Sequence, residues 1–245
     1  MPKMKKVEIC LTPELIHLHD IKDKIVVVVD IFRATSTMMA ALANGVSSIL
    51  PVEDLEACRA LEAEGYVIAG ERNGLPAPGF ELGNSPIAYL DGKYEGKKIA
   101  MTTTNGTLAI EKSIPNSAKV LIGAFVNLQA TADYLLSLPN DVVIHCAGWK
   151  GKFNLEDSLY AGALISRMGI NTDCDAGIAM TALFEKNKAN IKGFLSQASH
   201  AKRLQNHNIE ADIDFCLTMD LYSLVGLLQG RELHGVPVHQ FEQNK

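Results

Sequence analysis

The chain has no Cys-x-x-Cys pair, and its five cysteines (Cys10, Cys58, Cys146, Cys174 and Cys216) are odd in number and widely scattered. Neither a disulfide framework nor a cysteine–zinc site is therefore expected. Any apolar run near the roughly 20 residues that cross a bilayer is missing too. The opening MPKMKKVEIC is basic with no apolar stretch after it, so no secretory signal is expected and the cytoplasm is the simplest compartment. Positive charge is in the minority, with 23 Lys and Arg against 28 Asp and Glu and a net charge of −5. That balance argues against nucleic acid or an anionic membrane as the main partner. The GxxxxGK[ST] phosphate loop, low-complexity linkers and exact internal repeats are also absent from the sequence.

What is present is ordinary bulk and one unusual stretch. The residues are 47% apolar and 21% charged, which suits one large α/β core, and a single domain over residues 1–245 is expected. In Val26–Thr37 (VVVVDIFRATST), four valines after Ile25 make the β-branched run of a strand buried on both faces. The run ends at Asp30; Arg33, Thr35, Ser36 and Thr37 follow, then the helical run MMAALANG closed by Gly45. A carboxylate thus sits at the carboxyl end of a central strand, with an arginine and three hydroxyls where a helix begins. Ligands bind at that edge of open α/β sheets, and free N–H groups at a helix start suit phosphate.

Strand and helix signals alternate along the first two thirds. Val7–Cys10, Ile25–Val29, Ser47–Val52, Tyr66–Gly70, Lys97–Met101, Lys119–Gly123 and Asp141–Gly148 read as strands. Such alternation predicts a largely parallel sheet covered on both faces. The last third reads as mainly helical, covering the sheet or its active edge, with VPVHQF as a candidate last strand.

Several motifs carry chemistry-bearing residues. Asp30 and Arg33 suit a Mg²⁺ ligand and a phosphate clamp, because hard cations take carboxylate oxygens and the guanidinium fork matches phosphate. The plainer alternative is an ion pair with hydroxyls capping the helix. The Asp-x-Asp pattern of aspartyl-nucleophile phosphatases is broken by Phe32, which stands where the acid for the leaving group would be. GERNG sets Glu71 and Arg72 at the mouth of a long Gly/Pro-rich loop that runs to Asn84 and Ser85, and such loops are usually functional or disordered. The two charges make a second metal-capable acid and a second anion contact, or else a solvated turn. In TTTNGT, Thr103, Thr104, Asn105 and Gly106 form an anion nest or a capped turn. Lys150, Lys152, Glu156 and Asp157 follow the last strong strand. Asn154 capping through Asp157 explains one acid and leaves the other for the site. His145 reads as a core residue. SHAKRL offers Ser199, His200, Lys202 and Arg203, and DIDFC offers Asp212 and Asp214, as site or as surface.

In this order and register, DIFRATST, GERNG with GFELGNSP, TTTNGT, CAG…LED, SHAKRL and DIDFC resemble the 2-phosphosulfolactate phosphatase family, from Ile25 to Asp220. The resemblance implies a three-layer α/β/α fold with a largely parallel or mixed sheet and a helical C-terminal third. It also implies a Mg²⁺-dependent phosphomonoesterase that turns 2-phospho-3-sulfolactate into 3-sulfolactate and phosphate, an early step where coenzyme M is made. On this reading Asp30, Arg33, Glu71 and Arg72 are the catalytic set, and Asp30, Glu71 and Asp157 or Glu156 hold Mg²⁺. Thr35, Ser36, Thr37, Asn84, Ser85, Ser199, His200 and the 103–106 backbone line the substrate, while Arg203, Lys150 and Lys152 meet its sulfonate or carboxylate. The chain departs from the family pattern at Glu81, where Asp is commoner, and at Ala201, where glycine is expected. A homo-oligomer is compatible with these features. Two other functions stay open: a phosphatase for another small acidic phosphate ester, and a non-catalytic sensor of an anionic metabolite.

Overall fold

The valine run forms strand β2 (Ile25–Val29), with all five side chains buried. Its alternation divides the molecule: Val26 and Val28 enter one core, and Ile25, Val27 and Val29 enter another on the opposite face. The computed structural model describes residues 5–204 and 209–238. Among the described residues ten strands make one mixed sheet. β1 (Val7–Cys10), β8 (Val142–Cys146), β2 and β7 (Lys119–Gly123) form one parallel wing, in that spatial order. β3 (Ser48–Pro51), β6 (Lys98–Thr102) and β4 (Val67–Arg72) form a second, edged by the short antiparallel β5 (Leu75–Pro76).

A hairpin of β9 (Leu224–Gln229) and β10 (Glu232–Pro237) is wedged between β7 and β3 and joins the wings. The last third is mainly helical, as expected, with helices as far as Cys216, and the chain then returns to the middle of the sheet as a hairpin. The physical reason is legible afterwards: LVGLLQ and ELHGVP flank the two-residue turn Gly230-Arg231, with Gly230 at φ +64°. Val225 and Leu233 are fully buried. The candidate strand VPVHQF contributes Val236 and Pro237 to β10, and its part from His239 on lies outside the described residues.

Pairings β7–β9, β9–β10 and β10–β3 are all antiparallel, so the two wings run in opposite directions. In a flat sheet their carboxyl ends would lie on opposite edges. They meet instead. A Cβ added to Gly106, beyond β6, would stand 2.9 Å from Asp30 Oδ2, beyond β2. Twist accounts for this, since neighbouring strands rotate by about 20–25° and five steps from β2 to β6 accumulate roughly 100° or more.

Helices α1 (Ala34–Ala43) and α3 (Gly106–Ser113) fill the face shared by both wings, packing Met38, Met39 and Ile110 on Val26, Ile49 and Ile99. On the other face, α4 (Leu128–Ser137), α5 (Leu155–Met168) and α6 (Asp175–Asn187) cover the first wing. Behind the second wing, α2 (Leu55–Ala60) sets Cys58 on Ile68 and Ala100. Three layers result. His200 on α8 (Ser199–Leu204) and Asp212 on α9 (Glu210–Cys216) are brought to the end of β2.

Candidate active site

A small cavity, about 20 Å³, opens where the carboxyl ends of β2, β4 and β6 converge. Asp30, Arg33, Glu71, Asn84, Asn105 and His200 give it polar walls, and Phe32 and Trp149 give it aromatic ones. A roomier hollow beside Leu50, Glu53, Asp54 and Arg231 has no buried charged side chain among its walls, so size does not mark the site.

Asp30 is buried at the end of β2. Its Oδ1 accepts the Ala34 N–H at 3.3 Å, and its Oδ2 faces the space left by the missing side chain of Gly106. Burial pushes its pKa up to about 6; His200 and the Ala34 N–H pull it down, and the Glu71 and Glu156 carboxylates push it further up. Arg33 is buried beside it. The guanidinium donates through Nη1 to Asp212 Oδ2 and through Nη2 to the Gly74 carbonyl at 2.9 Å, while Asp212 Oδ1 accepts Ser85 Oγ at 2.6 Å. Asp212 therefore holds Arg33 and Ser85 together.

Glu71 and Arg72 lie in β4 and not in the turn after it, so alternation sends them to opposite faces. Glu71 lines the cavity and accepts from the Gly74 N–H (2.5 Å), the Thr104 N–H (3.3 Å) and Thr104 Oγ1 (3.2 Å). Arg72 turns away from it and donates to the Glu71 carbonyl (2.7 Å), Thr102 Oγ1 (3.0 Å) and the Glu53 carbonyl (3.3 Å). It ties strand ends together.

The hydroxyls of Thr35, Ser36 and Thr37 stand away from the cavity, fully buried. They donate to the carbonyls of Gly123 (2.7 Å), Ile31 (2.9 Å) and Asn84 (3.2 Å). Strand-end carbonyls buried at such a turn need donors, and these three residues supply them. Thr103 closes its own turn, its Oγ1 accepting the Thr107 N–H at 3.2 Å while Thr107 Oγ1 donates to its carbonyl at 3.0 Å. Asn105 Oδ1 accepts the Lys150 N–H at 3.1 Å and Lys150 Nζ donates to Asn73 Oδ1 at 3.2 Å. Asn84 Oδ1 is buried with no partner among the described residues. Lys152 and Ser199 are exposed, whereas the Arg203 guanidinium lies 4.8 Å over the Trp149 ring. Glu81 pairs with Lys93 at 3.1 Å, Ala201 joins the core, and His145 is a core residue bonded to Ser113 Oγ at 2.8 Å.

Glu156 and Asp157, at the start of α5, are fully buried and neither lines the cavity. Asn154 caps the helix, its Oδ1 accepting the Asp157 N–H at 3.2 Å. Asp157 Oδ1 accepts the Ile31 N–H (2.8 Å) and Oδ2 the Gly148 N–H (3.1 Å). Burial first, then the charges of Asp30 and Glu156, hold its pKa well above the usual carboxylate range. Glu156 Oε1 meets His200 Nδ1 at 2.5 Å. Sequence reasoning missed Trp149 as a wall. The signal was its place as the single tryptophan, in a loop between Gly148 and Gly151.

Among the described residues no three His, Cys, Asp or Glu side chains converge as an ion cage. Mg²⁺ does not need one, since it is held by one or two carboxylates together with waters and substrate phosphate oxygens. Asp30 and Glu71 put hard oxygen donors on the cavity, and Gly106 leaves Asp30 Oδ2 its space. These two residues fit the ion; Asp157 is taken up by backbone.

The fold and the site define an α/β enzyme whose cavity sets buried acids beside a fixed arginine. The family model for 2-phosphosulpholactate phosphatase matches residues 10–231. A protein of Thermotoga maritima named probable 2-phosphosulfolactate phosphatase is 43% identical over 202 residues, 82% of this chain and 88% of that one. Proteins of the same name from Caldanaerobacter subterraneus and Clostridium beijerinckii are 37% and 36% identical, covering 86% and 90% of this chain and 90% and 95% of theirs. The chain belongs to the 2-phosphosulfolactate phosphatase family and is a hydrolase of phosphoric monoesters.

Proposed function

We propose that this chain hydrolyses 2-phospho-3-sulfolactate to 3-sulfolactate and phosphate, using Mg²⁺ held by Asp30 and Glu71, in the manner of coenzyme M biosynthesis. The observation that carries the reading is one small cavity in which two carboxylates stand beside a buried arginine. A pure anion receptor gains little from carboxylates, whereas a metal-assisted phosphoryl site requires them. When bound, Mg²⁺ offsets the charge of the phosphoryl oxygens. Arg33 spends one N–H on Asp212 and one on Gly74, and the rest of its five donors remain for phosphate. Its fixed fork needs no reorganisation during the reaction, an effect of about 10²–10³ in rate for one strong contact. Phe32 and Trp149 exclude water, which strengthens every charge interaction inside. Lys150 and Arg203, both at the Trp149 ring, are the cations that meet the sulfonate and carboxylate.

The test is phosphate release from a panel of small acidic esters, with Mg²⁺ and with chelator. We expect kcat/KM for 2-phospho-3-sulfolactate to exceed that for esters lacking the sulfonate by about tenfold or more, roughly 1.4 kcal/mol. We also expect chelation to abolish turnover and Mg²⁺ to restore it. Saturable binding without phosphate release would make the chain a sensor, and faster turnover of another ester would reassign the substrate.

A further inference from the structure

We propose that His200 is the acid that protonates the departing oxygen of the ester, and that Glu156 is its positioning residue. The inference rests on the phosphatase reading and deepens it. An alkyl phosphate leaves as an alkoxide, a poor leaving group unless a proton arrives as the P–O bond breaks. The sequence puts Phe32 where the Asp-x-Asp pattern would put the acid, two residues beyond Asp30. The structure brings a histidine to that place from the far end of the chain. The His200 ring stands edge-on to Phe32 at 6.3 Å between centroids and lies tilted on Trp149 at 5.0 Å, on the wall of the cavity that holds Asp30.

The ring has one nitrogen committed and one available. Nδ1 meets Glu156 Oε1 at 2.5 Å, so the carboxylate fixes the ring and keeps a proton on Nδ1, and the acid in the step is the imidazolium, with its second proton on Nε2. Glu156 is fully buried and its Oε2 has no partner among the described residues. A buried carboxylate so poorly served is costly, and the orientation of His200 is what it provides. Nε2 has no hydrogen bond among the described residues, and the ring that carries it lines the cavity. In the step, the P–O(alkyl) bond breaks with its electron pair going to the alkyl oxygen, and the Nε2 proton moves to that oxygen to give the hydroxyl of the product. The attacking water keeps one proton on the new P–OH and returns the other through solvent to His200. One water is consumed per ester, and no redox partner enters.

The test compares leaving groups. His200→Asn and Glu156→Gln are assayed on 2-phospho-3-sulfolactate and on 4-nitrophenyl phosphate, whose phenolate departs without a proton. For His200→Asn we expect kcat on the alkyl ester to fall about 10²–10³-fold, within the range of a lost general acid. The loss on the aryl ester should be at least about tenfold smaller than on the alkyl ester, because its phenolate departs without a proton. Glu156→Gln should fall by about tenfold with the same preference for the aryl ester. Equal losses on both esters, or no loss, would overturn the assignment. If His200→Asn does not fold, as judged by circular dichroism, His200→Gln replaces it under the same criteria. Failure of the underlying reading looks different, because the unmutated protein would then release no phosphate from either ester.

Discussion

Asp30 and Asp157 are both buried carboxylates at the carboxyl edge of the first wing, and they differ in what their oxygens meet. Asp157 gives one oxygen to the Ile31 N–H and the other to the Gly148 N–H, which staples the end of β2 to the end of β8. Asp30 has one N–H, at 3.3 Å, and its second oxygen opens on the space beside Gly106. Burial raises both pKa values. Burial therefore does not separate a site residue from a structural one here; place on the cavity wall does, since Asp30 lines it and Asp157 does not. The hydroxyls divide in the same way, with Thr35 bonded to strand-end backbone and Thr104 bonded to the cavity's Glu71.

Asp30→Asn should break the symmetry most. Loss of a carboxylate assigned to Mg²⁺ at the reacting phosphate should lower kcat/KM by about 10³-fold or more, while the protein becomes more stable. The sign follows from linkage. The folded value of Asp30 is about 6, and an unfolded aspartate titrates near about 3.9. Between these values the fold binds more protons than the unfolded chain, so the ionised group costs stability above pH 6. The cost disappears as pH falls below about 4. Near neutral pH the variant should gain up to about 3 kcal/mol, two units at about 1.4 each, and the gain should shrink on acidification. Melting temperatures across that range check this. A lowered Tm with retained activity would make Asp30 a second staple.

Asp157→Ala should do the reverse. Two buried N–H groups lose their acceptor, at about 1–3 kcal/mol each, so urea denaturation should show a loss of about 2–6 kcal/mol. Activity per folded molecule should stay within about tenfold. Full stability with abolished phosphate release would move Asp157 into the chemistry.

Much of this was legible in the sequence, and what was not has a common cause. The valine run, the acid at its end and the Asn154 cap are local, and local spacing shows them. Thr35, Ser36 and Thr37 sit beside Asp30 in sequence, yet their hydroxyls point into strand ends contributed by β2 and β7 and by the loop at Asn84. Arg33 is held by Asp212, and His200 by Glu156, across 179 and 44 residues. No spacing rule reaches that far. The hairpin was readable from the Gly230 turn between two apolar segments, but its place between the wings depends on partners that only the fold supplies.

The finest test sets Thr104→Val against Thr35→Val, a matched change that removes one hydroxyl and keeps the shape. Thr104 Oγ1 lies 3.2 Å from Glu71 Oε2 and orients an acid assigned to Mg²⁺. Its loss should weaken Mg²⁺ affinity, read by titration calorimetry, by about tenfold, as for other groups that orient a metal-binding side chain. The Thr104 N–H still reaches Glu71, so stability should move little. Thr35 Oγ1 donates to the Gly123 carbonyl at 2.7 Å and accepts the Asp30 N–H at 3.0 Å, deep in the strand ends. Valine there removes both contacts and should cost about 2–6 kcal/mol in denaturation, with Mg²⁺ affinity and kcat within about twofold. If the two variants exchange these signatures, the hydroxyls beside Asp30 serve the ligand after all, and the division between cavity wall and strand end fails at the residues where it is easiest to see.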